Sequence, residues 1–237
     1  EKCMEGVFNQ FLIKAPKVVG DEKDYLKIAH STSRDHGIPY FEDYVFFAEM
    51  QLRLYQTVGK KLFRQNFIET MNFIKSEFIR DHQALTRANF AETYEPYPNL
   101  VQTSYDQSFK SPLSTLALLS QQAAVLEQDS EYLLDASLAE EQLHATLRSP
   151  LNCGEGLRAN TYPRQVFKVI KVPLNWIKEQ DFIRFTLYFM PRFIFDYLDN
   201  NENAEDGQWQ ICGIDQCDLQ GKGLKNFITS LNPGLNQ

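Results

Sequence analysis

Along the chain the spacing of apolar side chains changes character repeatedly, and each change predicts a different element. In the opening stretch EKCMEGVFNQFLIK, Cys3, Met4, Val7, Phe8, Phe11 and Leu12 fall at i, i+3 and i+4 intervals. That is the stripe of a helix docked on the rest of the fold, and Pro16 ends it. A short helical piece is predicted around DEKDYLKIAH. Between residues 46 and 58 the period shortens: Phe46, Ala48, Met50, Leu52, Leu54 and Val58 alternate with Phe47, Glu49, Gln51, Arg53, Tyr55 and Thr57. This predicts a long strand with one wet face. Helical spacing resumes after Gly59, with Phe63, Phe67, Met71, Ile74 and Phe78 on one face as far as residue 85, and Pro96 and Pro98 close that element.

Ser111 followed by Pro112 is a helix start, the hydroxyl serving as N-cap and the proline standing where no N–H is needed. Leu116, Leu119, Ala123 and Leu126 line one face, and after EQDS a second helix carries Tyr132, Ala136, Ala139 and Leu143. The two predict an antiparallel helical hairpin that ends before Pro150. From about residue 164 the pattern turns to β. RQVFKVIKV alternates, DFIRFTLYFM is apolar on nearly both faces as a central strand would be, and RFIFDYL and QWQICGI flank an acidic stretch. A last helix, GLKNFITSL, stops at Asn232-Pro233-Gly234. The pattern therefore predicts an α+β fold in a single domain, 1–237. Residues 1–150 form a mainly helical lobe with the helical hairpin and one long strand, and residues 151–237 a lobe rich in antiparallel β-structure with a C-terminal helix.

Composition supports a globular chain. With 237 residues, 43% of them hydrophobic and including 18 Phe and 11 Tyr, the chain has material for a sizeable core. A mean hydropathy of -0.40 and 23% charged residues exclude the disordered and membrane-resident classes. No stretch approaches the roughly 18 to 20 apolar residues of a membrane span. A formal charge of -7, with no basic stripe interleaved with aromatics, makes nucleic acid an unexpected partner.

The cysteines change the picture. There are four, Cys3, Cys153, Cys212 and Cys217, in a chain that begins at Glu1 with no initiator Met. The expectation is a mature protein whose leader has been cleaved, or a trimmed chain, with secretion or a periplasmic location favoured over the cytoplasm. Three connectivities are open. Proximity along the chain favours Cys212 with Cys217, leaving Cys3 with Cys153. The first bridge would stabilise by about 2 kcal/mol and the second by about 5 kcal/mol in the loop-entropy account. The alternative is four reduced thiols in a cytosolic protein. The abundance of Phe, Tyr, Asn and Gln, together with this start, resembles functionally unassigned proteins exported by Gram-negative bacteria that live inside host cells. The resemblance implies export and a host-interaction role, and it carries no catalytic residue across.

Candidate chemistry is sparse. DNNENAEDGQWQ, residues 199–210, has the look of a calcium loop, but Ala204 stands where such a loop needs glycine and Gln210 where it needs a bidentate Glu. A hairpin connection with Asp206-Gly207 at the turn is the better reading. Cys212 and Cys217 could clip zinc, yet no second cysteine pair supplies the remaining ligands, so the closing of a turn is expected. Glu141 and His144 make half of a di-iron carboxylate motif whose other half is missing. HSTSRDHGIPY gathers His30, Ser31, Ser33, Asp35 and His36, and Cys153 in SPLNCGEG is the best-placed thiol, with His30, His36, His82 or His144 as base. No G-x-S-x-G, P-loop, dinucleotide fingerprint or H-E-x-x-H is present. Trp176, Trp209, Tyr94, Tyr97 and Tyr105 are candidates for an aromatic ligand platform, with packing as the commoner use of such residues. No cofactor and no metal are expected. The reading is an exported binding or host-interaction protein whose partner is a protein or another extracellular ligand. A hydrolase with Cys153 or Ser33 as nucleophile and a histidine base is the alternative.

Overall fold

The computed structural model describes residues 12–14, 26–28, 40–80, 83–84, 106, 110–143, 154–161, 167–188, 192–199 and 205–231. The fold is α+β, a helical N-terminal region followed by a four-stranded sheet. At its start, β1 (Leu12–Lys14) pairs antiparallel with β2 (Leu26–Ile28), so these six residues are strand where helix was expected, and the rest of both expected helices lies outside the described residues. The Ile28 N–H donates to the Tyr44 hydroxyl at 3.2 Å, which ties β2 to the next helix.

Residues 46–58, expected as a strand, belong to helix α1 (Phe41–Val58). Its buried positions include Phe41, Tyr44, Val45, Ala48, Leu52 and Tyr55, the i, i+3, i+4 series of a helix. The alternation is produced by Phe46, Met50 and Leu54, which continue the apolar character beyond that stripe. Glu42 and Asp43 favour its first turn electrostatically. Gly59 ends it at φ 66°, its N–H returning to the Tyr55 carbonyl at 2.8 Å. Any Cβ at this position would also run into Leu174 and Ile177.

Helix α2 (Lys61–Phe78) packs against α1 and buries Phe67, Met71, Ile74 and Phe78. It ends seven residues before the expected limit, because Ile79 is already extended and begins β3 (Ile79–Arg80), which pairs with β4 (Gln83–Ala84). The helical hairpin is present as expected. In α3 (Pro112–Glu127) the Ser111 hydroxyl accepts from the Ser114 N–H at 3.2 Å with Pro112 in the first turn, and α4 (Tyr132–Leu143) packs back along α3. Every residue of α3 from Pro112 to Leu126 is buried, so this helix is the axis of the core. Helix α5 (Gly154–Thr161) lies against it.

The sheet runs β6-β5-β7-β8, with β5 (Lys168–Pro173), β6 (Phe193–Leu198), β7 (Gln208–Cys212) and β8 (Cys217–Lys222). Both contacts of β7 are antiparallel, while β5 and β6 are parallel. That arrangement accounts for two corrections. A chain returning to the starting end of the sheet needs a crossover. Here the crossover includes a 3-10 segment (Leu174–Lys178) and helix α6 (Gln180–Tyr188), so residues 181–188 of DFIRFTLYFM are helical where a central strand was expected. The second correction is that β6 and β7 lie on opposite sides of β5, so they do not pair as the expected hairpin; residues 200–204 between them lie outside the described residues. Gly207 is needed for close approach, because a Cβ there would come within 2.7 Å of Pro173 and 3.0 Å of Trp176.

One face of the sheet carries Ile170, Phe195, Tyr197, Trp209 and Ile211, by the strand registers. Over it, Trp176, Phe182, Phe185 and Phe227 of α7 (Leu224–Leu231) interlock, with ring centroids 5.1 to 5.5 Å apart between Phe227 and Phe185, Trp176 and Trp209. The opposite face, with Val169 and Ile194, meets α3.

Candidate functional site

Where helices meet sheet, a polar group gathers that no sequence pattern announces. Tyr55, at the end of α1, donates its hydroxyl to Asp196 Oδ1 at 2.6 Å and accepts the Tyr197 N–H at 2.9 Å. Arg64 of α2 brings Nε to 3.3 Å from the same carboxylate, a contact of charge without hydrogen-bond alignment, and Nη2 to 2.8 Å from Glu127. Beside them the Gln56 amide behaves like a strand, donating to the Phe195 carbonyl at 2.8 Å and accepting the Phe195 N–H at 2.7 Å. Tyr197 completes the set by donating to the Gln56 carbonyl at 2.8 Å.

Electrostatics and exposure decide what this group can do. Burial, reinforced by the Asp196 charge, holds the Tyr55 phenol far above the ordinary tyrosine range, and burial does the same to Tyr197. Tyr55 is fully buried, its proton committed to Asp196 and its oxygen to Tyr197. No substrate reaches it, and it is a neutral donor rather than a nucleophile. The arrangement locks α1 and α2 to the sheet and also seals the outer side of edge strand β6.

A second carboxylate works in the same way. Asp106 accepts from the Ser111 N–H at 2.7 Å through Oδ1 and from the Glu155 N–H at 2.9 Å through Oδ2, joining the N-terminal ends of α3 and α5. These are the places where helix dipoles favour an anion.

At the far edge of the sheet the situation is opposite. Cys212 and Cys217 form a disulfide across the turn in which the Gly213 N–H donates to the Gln216 carbonyl at 2.8 Å, so the expected closing of a turn is present. The strand that follows was not legible beforehand. Cys217, Asp218, Leu219, Gln220 and Lys222 are all exposed, Leu219 at 49%. Among the described residues no strand lies beyond β8. Gln220 and Lys222 turn their backbone groups outward, because the Gly223 N–H donates to Gly207 at 2.9 Å and the register sets Gly221 against Trp209.

Of the residues singled out from sequence, Cys3, His30, Ser31, Ser33, Asp35, His36, His82, Tyr94, Tyr97, Tyr105, His144 and Cys153 lie outside the described residues. So does the Cys3–Cys153 pairing. Trp176 and Trp209 are core residues at 0% and 2% exposure, packing rather than forming a platform. Asp199 of the acidic stretch is ion-paired with Lys61, and Glu141 is exposed on α4. Among the described residues no group of three His, Cys, Asp or Glu side chains is placed to hold a metal, and no helix is long and apolar enough to cross a membrane. Comparison with protein-family models, curated proteins and solved structures returns no match.

Proposed function

We propose that this chain is an exported, non-enzymatic binding protein that engages a partner protein along the outer edge of β8. The observation that carries the reading is the contrast between the two edges of one sheet. On β6 the outward backbone groups of Phe195 and Tyr197 are taken up by Gln56 and Tyr55. On β8 the outward groups of Gln220 and Lys222 face solvent from exposed residues. Proteins blunt such edges unless the edge is used, and an extended partner strand satisfies it through main-chain bonds. The Cys212–Cys217 bridge pins the start of that strand. It supports a secreted or periplasmic location, where disulfides persist. Asp106, already bonded to the Glu155 amide at the start of α5, occupies the dipole position that would activate a thiolate just upstream.

The test is the state of the nucleophile candidates in the folded protein, recovered without reductant from an oxidising compartment. Intact mass is expected to show all four cysteines oxidised, with Cys3 and Cys153 taking up iodoacetamide solely after reduction. A fluorophosphonate probe is expected to leave Ser33 unlabelled. Alkylation of Cys153 in the unreduced protein, or a Ser33 adduct, would sink the reading in favour of a hydrolase.

A further inference from the structure

From Gln208 opposite Lys222 to Ile211 opposite Leu219, β7 and β8 advance residue by residue, and one more regular step would set Cys212 against Asp218. Cys212 is paired instead with Cys217, the residue to which it is bonded covalently. We infer that this bridge is a redox latch on the register of β8. Closed, it holds Asp218 out of the ladder; opened by a dithiol, it lets Asp218 pair with Cys212 while Cys217 passes to the other face. The inference goes beyond the binding reading and does not rest on it, since it concerns the strand itself.

Asp218 is the extra residue of a bulge. Side chains alternate between faces along a strand, so in an unbroken ladder Asp218 would share the face of Cys212 and of Val169, the partner of Cys212 on β5. It bonds Lys168 instead, the neighbour of Val169 and therefore on the opposite face. One step beyond the Val169–Cys212 pair, Lys168 comes opposite Gly213, where a Cβ would meet solely the Gln216 carbonyl oxygen, at 3.8 Å. The ammonium thus has a clear path to the bulge. A part-exposed ion pair of this kind is weak, so the covalent bond is what sets the register.

The turn agrees. The Gly213 N–H donates to the Gln216 carbonyl, and neither Ile214 nor Asp215 between them has a positive φ. Two-residue hairpin connections that match the twist of the strands need positive φ at one or both central residues. Pairing Cys212 with Asp218 brings Gly213 opposite Cys217 and lengthens the connection to three residues, 214–216. That class is built round a turn with negative φ at its centre. The open form therefore relieves the bulge and the turn together.

The two cysteines are unequally reachable, Cys212 being buried and Cys217 exposed. A thiolate of the dithiol attacks Sγ of Cys217, and Cys212 leaves as a thiolate and takes up a proton. The second thiol of the reductant then displaces Cys217 from the mixed disulfide. Two electrons and two protons reach the bridge, and the reductant departs as a disulfide. Asp218 then gives up Lys168 and stands in one row with Gln220 and Lys222, which changes the charge order that β8 presents.

Nuclear magnetic resonance of the isotope-labelled full chain reads the register, because α-protons of directly opposed residues outside the hydrogen-bonded pairs lie close together. In the oxidised protein the Cys212 α-proton is expected to contact that of Cys217. After dithiothreitol, without denaturant, it is expected to contact that of Asp218, and oxidised glutathione should restore the first contact. The pair Cys212→Ser, Cys217→Ser is expected to show the reduced register with no reductant present, which separates this bridge from any other disulfide. Asp218→Asn, kept oxidised, should retain the Cys212–Cys217 contact, because the bridge and not the ion pair sets it. In every form the Ile211–Leu219 pairing should persist. A bridge that dithiothreitol leaves intact in the folded protein would overturn the latch. So would a reduced chain in which Cys217 still opposes Cys212, or one in which the Ile211–Leu219 pairing is lost as well.

Discussion

Tyr55 shows how much one hydroxyl can carry when it is placed between elements. Its oxygen accepts the Tyr197 N–H and its proton goes to Asp196, so a single atom satisfies a strand amide and a carboxylate that also faces Arg64. Tyr55→Phe keeps the ring, including its edge contact with Tyr197 at 5.5 Å, and removes those two bonds. An N–H in a buried setting then lacks its acceptor and a part-buried carboxylate loses a donor, which costs about 2 to 3 kcal/mol. For a chain of this size the thermal midpoint should fall by roughly 5 to 10 °C. A melt monitored by circular dichroism checks this; a midpoint within about 1 °C of the parent would mean that the hydroxyl does not join α1 to the sheet. Nothing adjacent to Tyr55 in sequence marks it, because its partners lie 141 and 142 positions away.

Among the elements, α2, α3, α4 and α7 were legible from the period of their apolar positions, helped in α3 by its cap. Ser111-Pro112 is a cap that forms as read, and Phe67, Met71, Ile74 and Phe78 share a buried face. Helices α1 and α6 were misread for a common reason: apolar residues also stand outside the buried stripe, Phe46, Met50 and Leu54 in α1 and the exposed Ile183 and Leu187 in α6, so local alternation carries little information and the neighbours decide. For α6 the deciding neighbour is the parallel β5–β6 pair, which requires a crossover. Strand β8, CDLQGK, has no apolar alternation because it faces solvent on the edge, and so gave no signal. The protection of β6 was equally invisible, since Gln56 and Phe195 are 139 residues apart. It can be tested at the element it protects. Gln56→Met keeps the bulk and removes both amide bonds to Phe195, so amide exchange across 193–198 should accelerate by about tenfold, the equivalent of about 1.4 kcal/mol of local stability. Unchanged protection of that segment, measured by mass spectrometry, would show that the side chain does not seal the edge.

For the whole molecule, the buried phenols set a limit that acts on helices and sheet at once. Tyr44 in α1, Tyr55 at the junction and Tyr197 in β6 are all raised far above the ordinary range by burial, and burial with the nearby Glu127 and Asp129 pushes Tyr132 of α4 up to about 12. In the unfolded chain the same groups release their protons near pH 10. Where the folded pKa is the higher one, the folded state binds more protons, so the stability these groups contribute is complete below about pH 10 and falls as pH rises through the folded values. Each group removes roughly 1.4 kcal/mol per pH unit in that window. Acting together over one to two units they match the roughly 5 to 15 kcal/mol that holds a typical domain folded. Because the four sit in α1, α4 and the sheet, ionisation of one is coupled to the loss of packing around all. A rapid titration that follows tyrosinate absorbance and far-ultraviolet circular dichroism together should therefore show exposed tyrosines ionising first near pH 10 with structure intact. A second group should then ionise in step with unfolding between about pH 11 and 12. If every phenol ionises near pH 10 while the dichroism is unchanged, the tyrosines that join α1 to the sheet are open to water and that lock is not formed.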